Sequence, residues 1–222
     1  ERDRAKDELP QSGAGRTITT SEPKFIPNEA VEVTIREGIK LKVRMVDCVG
    51  YKVEGALGYE EDGGPRMVRT PWFEEAIPFQ EAAEVGTRKV ITDHSTIGIA
   101  VFTDGTITDI PRENYLDAEE RVVYELKEIN KPFVIILNSL YPEREDTIKL
   151  AESLEELYDA PVLPLDCANL SLENIVNIFE EALYEFPVTE VNVNLPKWIE
   201  TLDDNHWLRI ELEEAVRNAV NE

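Results

Sequence analysis

The 222 residues predict an α/β fold, a mainly parallel sheet with helices on both faces and an antiparallel hairpin at its edge. Three observations carry this. Near-continuous apolar runs TIGIAVFTD (96–104), PFVIILNS (132–139) and APVLPLDC (160–167) have the composition of strands buried on both faces. Amphipathic stretches separate them in strict strand–helix order. Ahead of them, two stretches flank a Glu37-Gly38 turn, the first alternating apolar and polar, as in a hairpin with one wet face.

Taken in order, residues 1–9 read as the tail of a helix stopped by Pro10, and residues 11–28 as a loop rich in Gly, Ser, Thr and Pro. VEVTI (31–35) and LKVRMVD (41–47) form the hairpin. Residues 51–80 are irregular and longer than an ordinary connection, a length usually functional or mobile. A helix is expected over 79–90. Further helices follow over 113–129, 145–158 and 171–185, the first with Leu116, Val122, Val123, Leu126 and Ile129 at helical spacing. Ser171 suits the N-cap of the last, although Asn174 stands where a capping box has Glu or Gln. Pro187 ends the pattern. A first domain is expected over 1–187; 188–222 begins a second α/β domain, with a strand at VTEVNVNLP (188–196) and helix from 197.

Apolar residues make up 42% of the chain, enough for a packed core. A formal net charge of −23 argues against binding nucleic acid, whose phosphates demand Lys and Arg, and against adsorbing directly to anionic lipid. No apolar run reaches the length of a membrane span. Cys48 and Cys167 end different strands, so a disulfide is not expected, and a cytoplasmic location suits them. His94 and His206 each lack a second ligand at metal spacing and read as structural; Trp198 and Trp207 read as packing residues. The carboxylates of DAEERVVYELKE read as a solvated helix face, on which Glu119 and Glu120, with Glu113 just before it, could pair with Lys or Arg neighbours, each pair worth little.

Three places carry candidate chemistry. Asp47, Cys48, Val49 and Gly50 form an Asp-x-x-Gly at a strand's carboxyl end, where α/β sheets bind ligands. In P-loop enzymes such an acid holds magnesium, and the glycine N–H approaches a γ-phosphate. The preceding GRTITTSEP loop supplies Thr17, Thr19, Thr20 and Ser21, hydroxyls of the kind that ligate magnesium and sense the γ-phosphate in nucleotide switches. Asn138 closes the second apolar strand, where GTPases carry Asn-Lys-x-Asp. Here Ser139 and Tyr141 replace the Lys and the guanine-reading Asp, so adenine is the expected base. A Gly-x-x-x-x-Gly-Lys-Ser/Thr loop is absent. The chain opens on Glu1 and closes in helical pattern, so both ends are expected to be cuts inside larger elements, with the phosphate loop upstream.

The phrases DELPQSGAGRTITTSEPKFIPN, VDCVGY, GPRMVRTPWFEE, IPFQEAAEVGTRKVI, HSTIGI, TDGTI, ALYEFPVTEVNVNLP and NHWLR together resemble the stage IV sporulation protein A family over essentially the whole chain. The resemblance implies a divergent P-loop NTPase of the TRAFAC GTPase-like class that hydrolyses ATP with Mg²⁺. It implies self-assembly into filaments, the basement layer of the spore coat on the outer forespore membrane, facing the mother-cell cytoplasm. The implied partners are further copies of itself, a small amphipathic membrane-anchoring peptide and other coat proteins. The family's magnesium acid falls on Asp47. Its paired sensor threonines fall on Thr20 and Ser21, the second a departure that keeps the hydroxyl. Thr20 is the implied second magnesium ligand, and Gly50 and Asn138 complete the nucleotide site. Alternatives are a nucleotide-binding scaffold without turnover and a ribosome- or RNA-associated GTPase. Without a phosphate loop these residues alone are expected not to turn over ATP and to fold poorly, with the centre of the sheet exposed. No general base is assigned.

Overall fold

The computed structural model describes residues 24–36, 38–61, 63–68, 70, 73–187, 197–200, 202–203 and 205–221. The expected helix tail before Pro10, the hydroxyl loop with Thr20 and Ser21, and the expected strand at 188–196 lie outside these residues. The chain divides into two units, Glu1–Glu185 and Phe186–Glu222.

In the first unit the hairpin is longer than alternation predicts. Strand β1 (Lys24–Arg36) pairs antiparallel with β2 (Ile39–Asp47), from Lys24 opposite Asp47 to Arg36 opposite Ile39. The register breaks between Ile26 and Val31, which hid the first half of β1 from a period-two pattern. The turn rests on Gly38 at φ +87°, a conformation that favours glycine. The hairpin is a sheet of its own, and Arg36 pairs with Glu180.

The core sheet is parallel: β3 (Gly98–Thr103), β4 (Phe133–Asn138) and β5 (Val162–Leu165), with β4 central. Helices α1 (Phe79–Lys89), α2 (Leu116–Glu128), α3 (Glu145–Tyr158) and α4 (Leu172–Tyr184) complete the unit. Because strand side chains alternate, β4 serves two cores. Phe133, Ile135 and Leu137 face α2 and α3 through Val123, Leu126, Ala151 and Leu154. Val134 and Ile136 face α4 through Ile178 and Ala182. Each such side chain contributes roughly 1.5–3 kcal/mol on burial. The outer edge of β3 has no ladder partner among the described residues, and Val101 there is 58% exposed.

Turn chemistry sets the helix ends. Asp159 at φ 45° ends α3 in the left-handed conformation that Asp tolerates. At the start of α4, Asn174 does complete a capping box: its N–H donates to Ser171 Oγ at 3.1 Å and its Oδ1 accepts the Ser171 N–H at 2.9 Å. The shorter amide reaches as Glu or Gln would.

Among the described residues between 51 and 78 there is more regular structure than composition suggests. Two short antiparallel pairs, Glu60–Glu61 with Gly64–Pro65 and Met67–Val68 with Ile77–Pro78, wrap Phe79. Phe79 is buried, with the Tyr59 ring at 5.5 Å and the Arg66 guanidinium at 5.0 Å.

Packing is tight at Gly98. A Cβ there would meet Leu126 Cδ2 at 2.8 Å and Phe133 Cβ at 3.0 Å, both on buried residues. Gly98→Ala is therefore expected to destabilise the fold by about 1–3 kcal/mol through overpacking. A thermal melt at or above that of the wild type would contradict this.

In the second unit, α5 (Lys197–Glu200) and α6 (Trp207–Asn221) are joined by a turn in which His206 Nδ1 accepts the Leu208 N–H at 3.2 Å. Ile199 is its buried residue among those described, whereas Trp198 and Trp207 are exposed, so the expectation that both pack is corrected. Among the described residues no helix is long and apolar enough to cross a membrane.

Candidate functional site

Asp47 is the last residue of β2, and the chain then leaves the ladder as Cys48-Val49-Gly50. The residue is exposed, yet its carboxyl is partly withdrawn from water. Burial pushes it above the usual carboxylate range, opposed by the Cys48 backbone N–H. Burial also pushes the Cys48 thiol up, and Asp47 adds to the shift while a hydrogen bond with Thr87 opposes it. Cys48 and Cys167 are both free thiols, and burial pushes each above the ordinary thiol value, the reverse of what activates a nucleophile.

Gly50 stands at φ +80°, and a Cβ built on it would meet nothing within 4 Å among the described residues beyond its own chain neighbours. Glycine is required by the backbone conformation, not by crowding. Its N–H donates to Thr87 Oγ1 of α1 at 3.0 Å, and the same hydroxyl donates to the Gly50 carbonyl at 3.4 Å. Tyr51 follows and is buried. Its hydroxyl donates to Glu125 of α2, and Arg121 lies over its ring at 4.4 Å. Burial and then Glu125 hold the Tyr51 phenol well above its ordinary value. Arg121 also pairs with Glu125 at 3.3 Å and with Glu84 of α1 at 2.9 Å. Burial raises Glu84, but hydrogen bonds from Arg121 and Gln80 outweigh it and hold the carboxyl below its usual range.

The carboxylates of α2 are therefore not all a solvated face. Glu119 and Glu125 are buried, Glu119 against Arg112 at 2.6 Å and Glu125 against Tyr51 and Arg121. Burying a carboxylate is tolerable only with such partners. Arg121 is one helical turn from Glu125, a spacing that periodicity reports, whereas Tyr51 lies 74 residues away and Arg112 precedes the helix.

Asn138 closes β4, opposite Thr103 and Leu165. Its Oδ1 accepts the Cys167 N–H at 3.1 Å and ties the end of β4 to the loop after β5. Asn138 thus does more than terminate a strand. Beside it, sequence reasoning missed a polar knot around Asp104, which follows β3. Asp104 Oδ1 accepts from Thr106 N–H at 2.9 Å and Thr106 Oγ1 at 2.6 Å. Its Oδ2 accepts from Ser139 Oγ at 2.5 Å and Thr147 Oγ1 at 3.4 Å. Ser139 Oγ in turn accepts the Tyr141 N–H at 2.9 Å, and Thr106 Oγ1 accepts the Leu140 N–H at 3.0 Å. Asp104 shapes the loop 138–141 and has its lone pairs engaged, so it is no metal ligand. Its place after an apolar strand, like that of Asp47, was the available signal.

The structure places Asp47 and Gly50 on one loop and Asn138 at a separate strand end. Thr20 and Ser21 lie outside the described residues. Among the described residues no group of three or more His, Cys, Asp or Glu side chains is arranged to hold a metal. A single carboxylate still fits magnesium, which keeps several waters and takes its other ligands from phosphates.

Comparison with known proteins gives two family matches: stage IV sporulation protein A, ATPase domain, over residues 1–187, and stage IV sporulation protein A, middle domain, over 188–222. Proteins named stage IV sporulation protein A are similar along the chain. The Bacillus anthracis protein is 57% identical over 222 residues, all of this chain and 45% of that protein. The Bacillus subtilis (strain 168) protein is 54% identical over the same span, again 45% of its length. The Clostridioides difficile (strain 630) protein is 52% identical over 219 residues, 99% of this chain and 45% of that protein. The chain thus spans under half the length of these relatives. No solved structure matches.

Proposed function

This chain belongs to the stage IV sporulation protein A family, its residues 1–187 matching the ATPase domain, and from that premise we propose that the whole protein hydrolyses ATP to drive its own assembly into spore-coat filaments. The observation that carries the site is the loop after β2: the carboxyl of Asp47 at the strand end, three residues before a left-handed glycine with nothing among the described residues beyond its chain neighbours within 4 Å of where its Cβ would be. In this reading Asp47 holds magnesium through a water or directly, with Thr20 as its partner. Thr20 and Ser21 sense the γ-phosphate. Magnesium bound there supplies charge neutralisation for the transferring phosphoryl group. Gly50 offers its N–H to the same phosphate.

Adenine is the base this site favours. Tyr141 occupies the position of the guanine-reading acid, and it is exposed beneath the Arg144 guanidinium at 4.5 Å. No carboxylate faces the base from that position. In this reading Asn138 would stand beside the base, and the Cys167 N–H it accepts holds the loop after β5 against the end of β4. The filament would form the coat's basement layer, peripheral to the outer forespore membrane on the mother-cell side. Its partners there would be a small amphipathic anchoring peptide and other coat proteins.

The test uses the full-length protein. Phosphate release with ATP is expected to exceed release with GTP by at least about tenfold, a discrimination one missing base contact supports. Sedimentable filaments are expected with ATP and not without it. Preference for GTP, or filaments indifferent to nucleotide, would sink the reading.

A further inference from the structure

Thr87 has an unusual assignment for a residue inside a helix. A helical threonine ordinarily turns its hydroxyl to solvent or to the carbonyl one turn back. Thr87 is 1% exposed, and its hydroxyl instead grips both backbone polar groups of Gly50, which lies 37 residues earlier. One backbone N–H has one proton and serves one acceptor at full strength. We propose that the Thr87 hydroxyl and a terminal phosphate oxygen are alternative acceptors for the Gly50 N–H, which makes Thr87 a positioning residue coupling phosphate occupancy to helix α1. The inference rests on the reading above that Gly50 faces the γ-phosphate.

Two features of the surroundings suit such an exchange. Tyr51 is held by Glu125 and lies under Arg121, so the chain downstream of Gly50 is anchored to α2. Gly50 itself carries no side chain to obstruct rotation, and among the described residues nothing beyond its chain neighbours stands within 4 Å of where a Cβ would be. The Gly50 peptide can turn while Tyr51 stays. Released from Gly50, α1 keeps a polar tie to α2 through Glu84 and Arg121 at 2.9 Å.

The experiment compares Thr87→Val and Thr87→Ser with wild type in the full-length protein. Valine keeps the shape and removes the acceptor; serine keeps the acceptor. Thr87→Val is expected to lower KM for ATP roughly threefold to tenfold, the worth of one competing hydrogen bond, with kcat changed less. Thr87→Ser is expected to stay near wild type. An unchanged KM in Thr87→Val, or an equal shift in Thr87→Ser, would overturn the proposal. Hydrogen exchange on the wild type covers the case in which Thr87→Val does not fold. With a non-hydrolysable ATP analogue in place of ADP, peptides spanning 48–51 and α1 should change protection together. A change confined to 48–51 would overturn it equally. Asp47→Ala separates the two failures. If that variant turns over ATP like wild type, the site reading falls and takes this inference with it. If Asp47→Ala is inactive while Thr87→Val matches wild type, the site stands and only the Thr87 exchange is lost.

Discussion

Asp47→Ala in the full-length protein is expected to reduce phosphate release from ATP by on the order of 10²-fold or more, with folding intact. The size follows from the role. A carboxylate that places a metal against a transferring phosphoryl group acts on charge in the transition state, and removing one such contact costs about 10²–10³-fold. Intact folding follows from the position. Asp47 is exposed at the end of a strand in a two-stranded ladder, where truncation opens no cavity. Circular dichroism and a melting curve beside the phosphate assay check both halves. Equal release by the variant would remove Asp47 from the site.

Asp104→Ala should do the opposite, lowering stability with no direct part in turnover. Four hydrogen bonds converge on its carboxylate, one from Ser139, which is fully buried. Truncation leaves that hydroxyl and the loop 138–141 without their anchor, at a cost of about 2–3 kcal/mol. The ATPase-domain melting transition should fall by roughly 5–10 °C. The effect is also pH-dependent. Burial raises the Asp104 carboxyl, but hydrogen bonds from Ser139, Thr106 and Thr147 outweigh it and leave it below its ordinary value. A folded pKa below the unfolded one means the native state favours the ionised form. The stabilisation is therefore complete above the unfolded carboxylate pKa, about 3.9, and is lost as pH falls through the lower folded value. The gap between wild type and Asp104→Asn should narrow on acidification below about pH 4. A gap independent of pH would show that the carboxylate's charge is not what holds the knot.

Several elements were legible because their signals are local. The strands around Ile99, Ile135 and Leu163 announce themselves by apolar runs, and the helices by spacing such as Val122, Val123 and Leu126. The Glu37-Gly38 turn and the Ser171 cap sit in residue types whose backbone preferences are intrinsic. The first half of β1 was not legible, since its register break destroys alternation. Nor was the short ladder system around Phe79, whose Gly- and Pro-rich sequence looks like loop until its contacts are known. At the site, Asp47 and Gly50 were found from a four-residue pattern and Asn138 from its place after a strand. Asp104 offered the same strand-end signal and matched no pattern.

Local periodicity, charge and short motifs were sufficient for the α/β class, for the strand order along the chain and for the family resemblance. Each is a property of neighbouring residues or of their order, and survives without knowledge of what packs where. Tertiary structure alone decided which polar groups are used up. On a helix that reads as a solvated face, it buried Glu119 against Arg112 and Glu125 against Tyr51 and Arg121. It saturated Asp104, and it brought Thr87 to Gly50 across 37 residues. A buried polar group is admitted only where a partner meets it. For Glu125 with Tyr51, Asp104 with Ser139 and Gly50 with Thr87 that partner is chosen by the fold in three dimensions, at separations of 74, 35 and 37 residues over which sequence carries no period.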